Sequence, residues 1–530
     1  MPSIKITETD RTLYGLNEAT SDNIVYVPGP AITGPANEPT LLNSYDELVS
    51  TFGDKGCEDS LSWDYAANLL LARMPVLYHR IAEEVDSIPE EPVANTPYAV
   101  YSKYTDDTQK FTARAENAGT GGDRISFSLY SPNEANYVWL KVWKDGVLQE
   151  SFRVASTGEN EAATGAAVAE ALNTDLVTSL KNIRFNIASD WSFVAIGDSK
   201  SGVSLTGGSD PTRDSIIATL GNAEFSSSPF AMLSDKYIYD VKFITSGGYT
   251  DSEASEGNSG TPIALNMLKL ANAREDCTAF PDIPDSMVED DRILAFFNGL
   301  TGVDASYGAA YAPWFEMKLA DRSYKMMPPS YIFLITLARS LQNNPIWMPP
   351  AGVDRATLVN AVKPTFEIGG PTLQKWQDND GETLQCINPI MKLRQYGYVI
   401  YGQRTLMLLD DSNRQSSLKS LNVRITSNEI KKAIFTACIG LTFEQNTLRT
   451  WNEFKSRVEP KLLEMKSGRG INDYEIIMDD TTTSAVDMQE NRIRGIVRVS
   501  ILNAVEHFDI GFEIMPSSVT FGTEETTEVL

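Results

Sequence analysis

A chain of 530 residues, 42% hydrophobic and 22% charged, has the composition of a globular protein and is too long for one simple core. Its net charge of -26 argues against nucleic-acid binding, since a phosphate backbone repels a surface of that sign. Four cysteines, Cys57, Cys277, Cys386 and Cys438, lie far apart with no CxxC pair, a pattern that is neither a disulfide framework nor a zinc site and that fits a reducing cytoplasm.

The opening MPSIKITETD lacks the basic and apolar parts of a signal peptide, and the apolar run 331–338 is too short for a bilayer, so no membrane insertion is expected. Within residues 1–25 one short stretch alternates, with Ile4 and Ile6 on one side. Alone it buries almost nothing, so it is either disordered or a strand completed elsewhere. Pro and Gly punctuate a strand and loop in VYVPGPAITGPANEP (25–39), and Ser44-x-x-Glu47 forms a capping box that starts a helix. A second helix over 62–73 and a strand over 76–81 follow.

The Pro-rich segment 88–97 reads as a linker. From 98 to 230 the chain is rich in Gly, Ser and Thr, with strand-like runs FTARA (111–115), RISFSLY (124–130) and YVWLKVW (137–143) and one helix over 162–172. This predicts a mostly-β insertion that closes at VSLTGGSDP (203–211). An α/β pattern resumes at 239–250, with helices near 261–274 and 330–342, so the flanking blocks form one α/β core interrupted at an exposed loop.

Two Pro/aromatic strings flank the second of these helices, YGAAYAPWFEM (307–317) and IWMPPAGVDRATL (346–358). Pro313, Pro349 and Pro350 stop regular structure, while Tyr307, Tyr311, Trp314 and Trp347 suit the edge of a core or an interface. With no catalytic group near them, they are expected inside the α/β core, supporting the scaffold.

Further on, Thr426-x-x-Glu429 and Thr450-x-x-Glu453 are expected to cap two helices. Ile430, Ala433, Ile434, Ala437, Cys438 and Leu441 mark the inner face of the first. Trp451, Phe454, Val458, Leu462 and Met465 mark that of the second, which Pro460 should kink and Gly468 end. The period then becomes two. Ile493, Gly495, Val497, Val499 and Ile501 alternate with Arg492, Arg494, Arg498 and Ser500, and Phe508, Ile510, Phe512 and Ile514 with His507, Asp509 and Glu513. Two antiparallel strands joined at 502–505 are predicted, followed by an alternating tail, 518–522, with Val519 and Phe521.

No catalytic constellation emerges. His79 ends an apolar strand and His507 lies on a polar strand face, so both read as structural. No HExxH or GxSxG string occurs. The spacing Gly397 to Thr405 imitates a phosphate-binding loop, but Gln403 replaces its lysine and bulky residues crowd it. Residues 378–381 hint at a calcium loop, yet Trp376 and Ile387 occupy ligand positions. Asp479 and Asp480 read as a solvated acidic turn. No cofactor, metal or enzymatic activity is expected, against the alternative of a hydrolase on the α/β core. A different structural subunit is the other alternative, but a tube-forming one would be shorter and mostly β, without helices over 421–470.

The two Pro/aromatic strings, VPGPAITGPANEP (27–39) with YDELVSTFG (45–53), LTGGSDP (205–211), INPIMKLRQYGYVIYGQRTL (387–406) and LNVRITSNEIKKAIFTACIGLTFEQNTLRTW (421–451) resemble, in order, segments of contractile phage tail sheath proteins. They cover most of the chain outside 98–200. Arg424-Ile425 departs from the two adjacent arginines of many relatives. The resemblance implies a multidomain α/β and β fold: a linking arm (1–25), a discontinuous core of subtilisin-like topology without its catalysis (26–90 and 233–405), an inserted mostly-β domain (91–232), a C-terminal α+β domain (406–515) and a second arm (516–530). It implies a virion tail sheath subunit, assembled in the host cytoplasm as a helical tube of stacked hexameric rings. This sheath contracts around an inner tube to deliver a genome, with baseplate and tail terminator proteins as partners. A sheath of a phage-like bacteriocin or other contractile injection system is the alternative.

On that footing, Ile4, Ile6, Val497, Val499, Phe508, Ile510, Phe512, Val519 and Phe521 are the expected residues of strand exchange between subunits, with neighbours' arms completing the C-terminal hairpin. The segment 421–470 carries nine Lys and Arg against five Glu, a basic block in an acidic chain. A solvated helix face is its default explanation; Lys455, Arg457 and Lys461 are instead expected to touch an acidic inner tube.

Overall fold

The computed structural model describes residues 23–58, 60–82, 98–104, 110–131, 137–155, 165–189, 191–197, 200, 202–251, 262–297, 300, 302–377, 387–407 and 416–504. Strands β1 (Val25–Gly29), β2 (Pro39–Leu42) and β3 (Val76–Arg80) open the chain around helices α1 (Tyr45–Phe52) and α2 (Ser62–Leu71). Val25, assigned to the arm from sequence, thus begins β1. At α1 the Ser44 hydroxyl accepts from the Glu47 amide, while the Glu47 carboxylate takes the amide of Asn43. The capping box is therefore displaced by one residue on its second leg.

Residues 100–204 form β4 (Val100–Tyr104), β5 (Lys110–Ala115), β6 (Ile125–Tyr130), β7 (Tyr137–Lys144), β8 (Val147–Ala155), α3 (Gly165–Glu170), β9 (Ile183–Ile187) and β10 (Val203–Ser204). Two antiparallel sheets result, ordered β4-β5-β9 and β10-β6-β7-β8. Alternation decides their inner faces: Phe127, Leu129, Val138, Leu140 and Val142 are fully buried around Phe111, Phe185 and Trp191. The helix expected over 162–172 corresponds to α3, its first residues lying outside the described ones, and from Ala171 the chain widens into a π turn that runs to Asp175.

The chain continues through α4 (Arg213–Leu220), β11 (Phe243–Thr245), α5 (Pro262–Arg274), β12 (Thr278–Phe280), α6 (Asp290–Ala295), β13 (Tyr311–Ala312), β14 (Phe315–Lys318), β15 (Tyr324–Met327), α7 (Pro329–Ser340), β16 (Ala361–Pro364), α8 (Gly370–Gln377), β17 (Asn388–Leu393) and β18 (Gly397–Ile400). The central sheet runs β12-β11-β1-β3-β2, parallel except at the β2 edge. Pairing of Val25 with Phe243 closes the α/β core across residues 100–204. Both faces of β1 are covered, as a parallel centre requires: Val25 and Val27 pack under α2 and α7, while Tyr26 packs under α5 on the other side. Arg80, fully buried at the end of β3, donates from Nε to Ala31 O (2.8 Å), from Nη1 to Gly34 O (2.7 Å) and from Nη2 to Ala118 O, fastening the β sheets to the core.

The C-terminal elements are α9 (Leu421–Ile439), α10 (Leu448–Ser467), β19 (Ile471–Ile477), α11 (Ala485–Gln489) and β20 (Ile496–Ile501). Neither threonine cap holds. α9 starts at Ser420, more than a turn early, because Leu421 and Ile425 are buried against the α/β core; Thr426 sits inside it and donates to Asn422 O at 2.7 Å. α10 starts after Thr447, and Thr450 turns back to the carbonyl of Gln445. Pro460 is accommodated within α10, and the Gly468 amide closes it on Glu464 O.

Candidate assembly interface

β20 pairs antiparallel with β19, Val497 opposite Ile476 and Val499 opposite Tyr474. The sequence reading assigned no strand to 471–477. The partner it expected for β20, with Phe508, Ile510 and Phe512, lies outside the described residues, as do Ile4, Ile6, Val519 and Phe521. Val497, Val499 and Ile501 turn inward with Tyr474 and Ile476, onto Trp451, Phe454, Val458, Leu462 and Met465 of α10. Arg498 turns outward and pairs with Glu475 at 3.0 Å. Among the described residues this sheet has only two strands, so each keeps one unpaired edge of backbone N–H and C=O groups.

α10 carries the three expected tube-facing cations. Arg457 pairs with Glu453 at 2.6 Å and lies against Gly440, at the end of α9. Lys461 pairs with Glu464 at 3.0 Å, and its ammonium stands 5.7 Å from the Trp347 ring. The charge of Lys455 adds to the hydrogen bonds from the Thr481 hydroxyl and amide that hold the Asp479 carboxyl below its usual range. These are exposed or half-exposed pairs, each worth little by itself.

Other cations of the basic block are spent inside the chain. Arg424 is buried 3.9 Å over the Tyr307 ring, with Asp304 3.5 Å away. Lys432 bonds Val241 O and Asp240, and Lys431 donates to the Tyr307 hydroxyl at 2.8 Å. Glu429 joins Lys242 at 2.8 Å, both side chains nearly buried. The net positive charge of residues 421–470 therefore overstates the basic surface, since α9 docks on the core through a polar seam.

Trp347 belongs to this region as well. Its indole donates to Gly468 O at 3.0 Å, and a Cβ on Gly470 would lie 2.6 Å from its ring. The second Pro/aromatic string thus reaches out of the α/β core and locks the end of α10, contrary to a purely internal role. The first string meets α9 only through Tyr307 and otherwise stays inside: Trp314 donates to Ile283 O at 2.7 Å, and the Tyr311 ring stacks on Phe333 at 4.6 Å.

Other ionisable groups have structural explanations. His79 is buried with Nδ1 2.7 Å from the Tyr26 hydroxyl, and burial lowers its pKa to about 4. Burial raises Asp282 to about 7 and Asp251 to about 6, yet each carboxylate caps a helix from a distance, at the amides of Ser330 and of Ile263 and Ala264. Gly397 begins β18, paired with Leu393 across a tight turn from antiparallel β17, and the described residues 401–407 hold no helix, unlike a phosphate loop. Asp479 is occupied by its own turn, and among the described residues no acidic or His/Cys group has metal-binding geometry.

No family model matches the chain. In sequence it is similar to the tail sheath protein of Vibrio phage KVP40, 23% identical over 309 residues, which is 55% of this chain and 44% of that protein. The tail sheath protein of Enterobacteria phage T4 is 30% identical over 155 residues, 29% of this chain and 22% of that one. The chain therefore spans less than half the length of these curated relatives. Its mixed α/β, multi-sheet fold matches the sheath tail protein of Listeria innocua with a TM-score of 0.55 at 11% identity, over 90% of this chain and 95% of that one.

Proposed function

We propose that this chain, related in sequence to phage tail sheath proteins and sharing the fold of a sheath protein, is the structural subunit of a contractile tail sheath. Copies polymerise as a helical tube of stacked, hexameric rings around an inner tail tube. The tube of subunits shortens and drives the inner one through the host envelope for genome delivery. The observation that carries this reading is that sequence similarity and a nearly full-length fold match fall on the same kind of protein. A bacteriocin or injection-system sheath would use the same subunit logic without an attached capsid.

On this reading the parallel sheet and its helices are a non-catalytic core of subtilisin-like topology, split into 26–90 and 233–405 by a β domain at 91–232. The C-terminal domain spans 406–515. A two-stranded sheet is marginal by itself. The open edges at β19 and β20 suit completion by 508–514 and by the arms 3–7 and 518–522 of neighbours, linking subunits into a mesh. About five backbone hydrogen bonds per arm at about 1 kcal/mol each would hold one link with about 5 kcal/mol. Lys455, Arg457 and Lys461 touch the inner tube through charges that salt screens, which suits a contact that must later break. Baseplate and terminator proteins bound the tube at its ends, and the product resides in the virion tail after assembly in the host cytoplasm.

Contraction then consumes no fuel: a metastable extended assembly relaxes into a better-packed one. The protein is not an enzyme on this reading. Electron micrographs of the purified chain test it. Long hollow tubes are expected, and a chain that stays monomeric at all concentrations and salt levels refutes the proposal.

A further inference from the structure

We infer that α9, α10, β19 and β20 form one unit that swings on the α/β core, opening along the polar seam under α9; the use of this motion in contraction rests on the sheath-subunit proposal. The apolar residues divide between the two parts. Ile430 and Ala437 of α9 are buried with Trp451, Phe454 and Val458 of α10, in a core of their own. Leu421 and Ile425, in the first turns of α9, are the residues of that helix that join the core beneath. Separation along the seam therefore leaves both hydrophobic cores intact.

What lies between them is polar and imperfectly matched. Asn428 Nδ2 donates to Cys277 O and to the Thr278 hydroxyl, both at 3.1 Å, while its buried Oδ1 has no partner among the described residues. Arg424 Nε is orphaned in the same way. Such groups regain water when the seam opens, which offsets the bonds that break. Three of the ion pairs across the seam have an acid open to solvent: Asp304, Asp240 and Glu275 are 51%, 58% and 66% exposed, opposite Arg424, Lys432 and Lys431. Pairs of this kind hold weakly and are screened by salt. Lys242 with Glu429 is the enclosed pair, and its desolvation offsets much of its attraction. At the rim the Tyr237 ring leans on Phe435 at 5.2 Å, yet it is 75% exposed and adds little burial.

Two attachments set the axis. The Leu421 amide donates to Gln403 O at 2.7 Å and the Thr405 amide to Lys419 O at 2.9 Å, tying the start of α9 to the core. Trp347, from the chain of the core, is inserted at the end of α10, and Ile346 beside it packs against both cores. The end of α9 is held by neither. It lies about 28 Å from Leu421 along the helix, so a rotation of about 20° moves it about 10 Å. On the sheath-subunit reading, α10 then shifts against the inner tube while the subunit stays folded.

Spin-label distances in the full chain, kept too dilute to polymerise, test the hinge. Cys438, exposed on α9, is one site, and Cys386→Ser prevents labelling there. It is paired across the seam with Ala218→Cys, exposed on α4, and within the unit with Leu463→Cys, exposed on α10. Distances are recorded at about 0.1 M and about 1 M salt, between which the screening length falls from about 10 Å to about 3 Å. The pair across the seam is expected to show a second, longer population that grows about threefold at high salt, while the pair within the unit stays unchanged. Lys242→Met with Glu429→Leu makes the seam apolar and should suppress the longer population; should that variant misfold, the salt comparison decides. A distance across the seam that is the same at both salts overturns the inference. So does a parallel change in both pairs, which is unfolding of the unit, or a longer population undiminished in the folded apolar variant. Because single copies are measured, tubes from a chain with a fixed seam overturn the hinge and leave the sheath reading standing. A hinged chain that never polymerises refutes the sheath reading alone.

Discussion

His79 illustrates how much a single residue's meaning depends on what surrounds it. Its place at the end of an apolar strand was enough to suggest a structural role, and burial against Tyr26 accounts for its pKa of about 4. The unfolded chain, with an ordinary value near 6.5, binds the proton more tightly, so the histidine's contribution is complete above that pH and is lost as pH falls toward 4. Between pH 7 and pH 5 the wild type should lose about 2 kcal/mol relative to His79→Gln, measured by urea unfolding. Asp282 has the opposite sign. Burial raises its folded pKa to about 7, so its neutral form favours the fold and stability declines as pH rises from about 4 to 7. Asp282→Asn should remove that decline in the same measurement. Nothing in the string Pro281-Asp282-Ile283 announces a buried carboxyl, because the Ser330 partner lies far along the chain.

At the scale of elements, helices with strong apolar spacing were legible and their starts were not. The α10 face Trp451, Phe454, Val458, Leu462 and Met465 is buried as its spacing requires. Thr426 and Thr450 look like caps locally, yet tertiary burial of Leu421 and Ile425 extends α9 backward past Thr426, and α10 starts after Thr447, so that Thr450 lies inside it. β19 carries no clear strand pattern in the sequence, because a bulge between Ile471 and Asp473 breaks its alternation. Its pairing with β20 depends on residues far away in sequence.

The polar seam under α9 gives a quantitative expectation. Glu429→Ala leaves Lys242 buried without its carboxylate and should cost about 3 kcal/mol. The double variant Lys242→Met with Glu429→Leu should recover most of that loss in chemical denaturation. Trp347→Ala should cost about 3–5 kcal/mol and loosen the end of α10, seen as faster amide exchange at 465–470.

For the whole molecule the predictions concern assembly. Deleting 1–10 or 516–530 should leave folded monomers that fail to form tubes. Normal tubes from both deletions in electron micrographs would discard strand exchange. Reversing the charge of Lys455, Arg457 and Lys461 together should weaken co-assembly with the inner tube and flatten its salt dependence, since screened charges carry that contact. If co-assembly and its salt response stay the same, these residues face elsewhere.

The order of strand-like and helix-like segments, from 25–53 to the apolar faces of α9 and α10, was legible along the chain. Periodicity and turn residues are local, and the resemblance was written in ordered short strings. Where the charges went followed from tertiary contacts. Lys431, Lys432 and Arg424 lie in the same basic block as Lys455, yet the first three are consumed where α9 meets the core. Tertiary contacts also decided that Trp347 serves α10. Such outcomes depend on which distant surfaces meet, and a one-dimensional pattern does not carry that information.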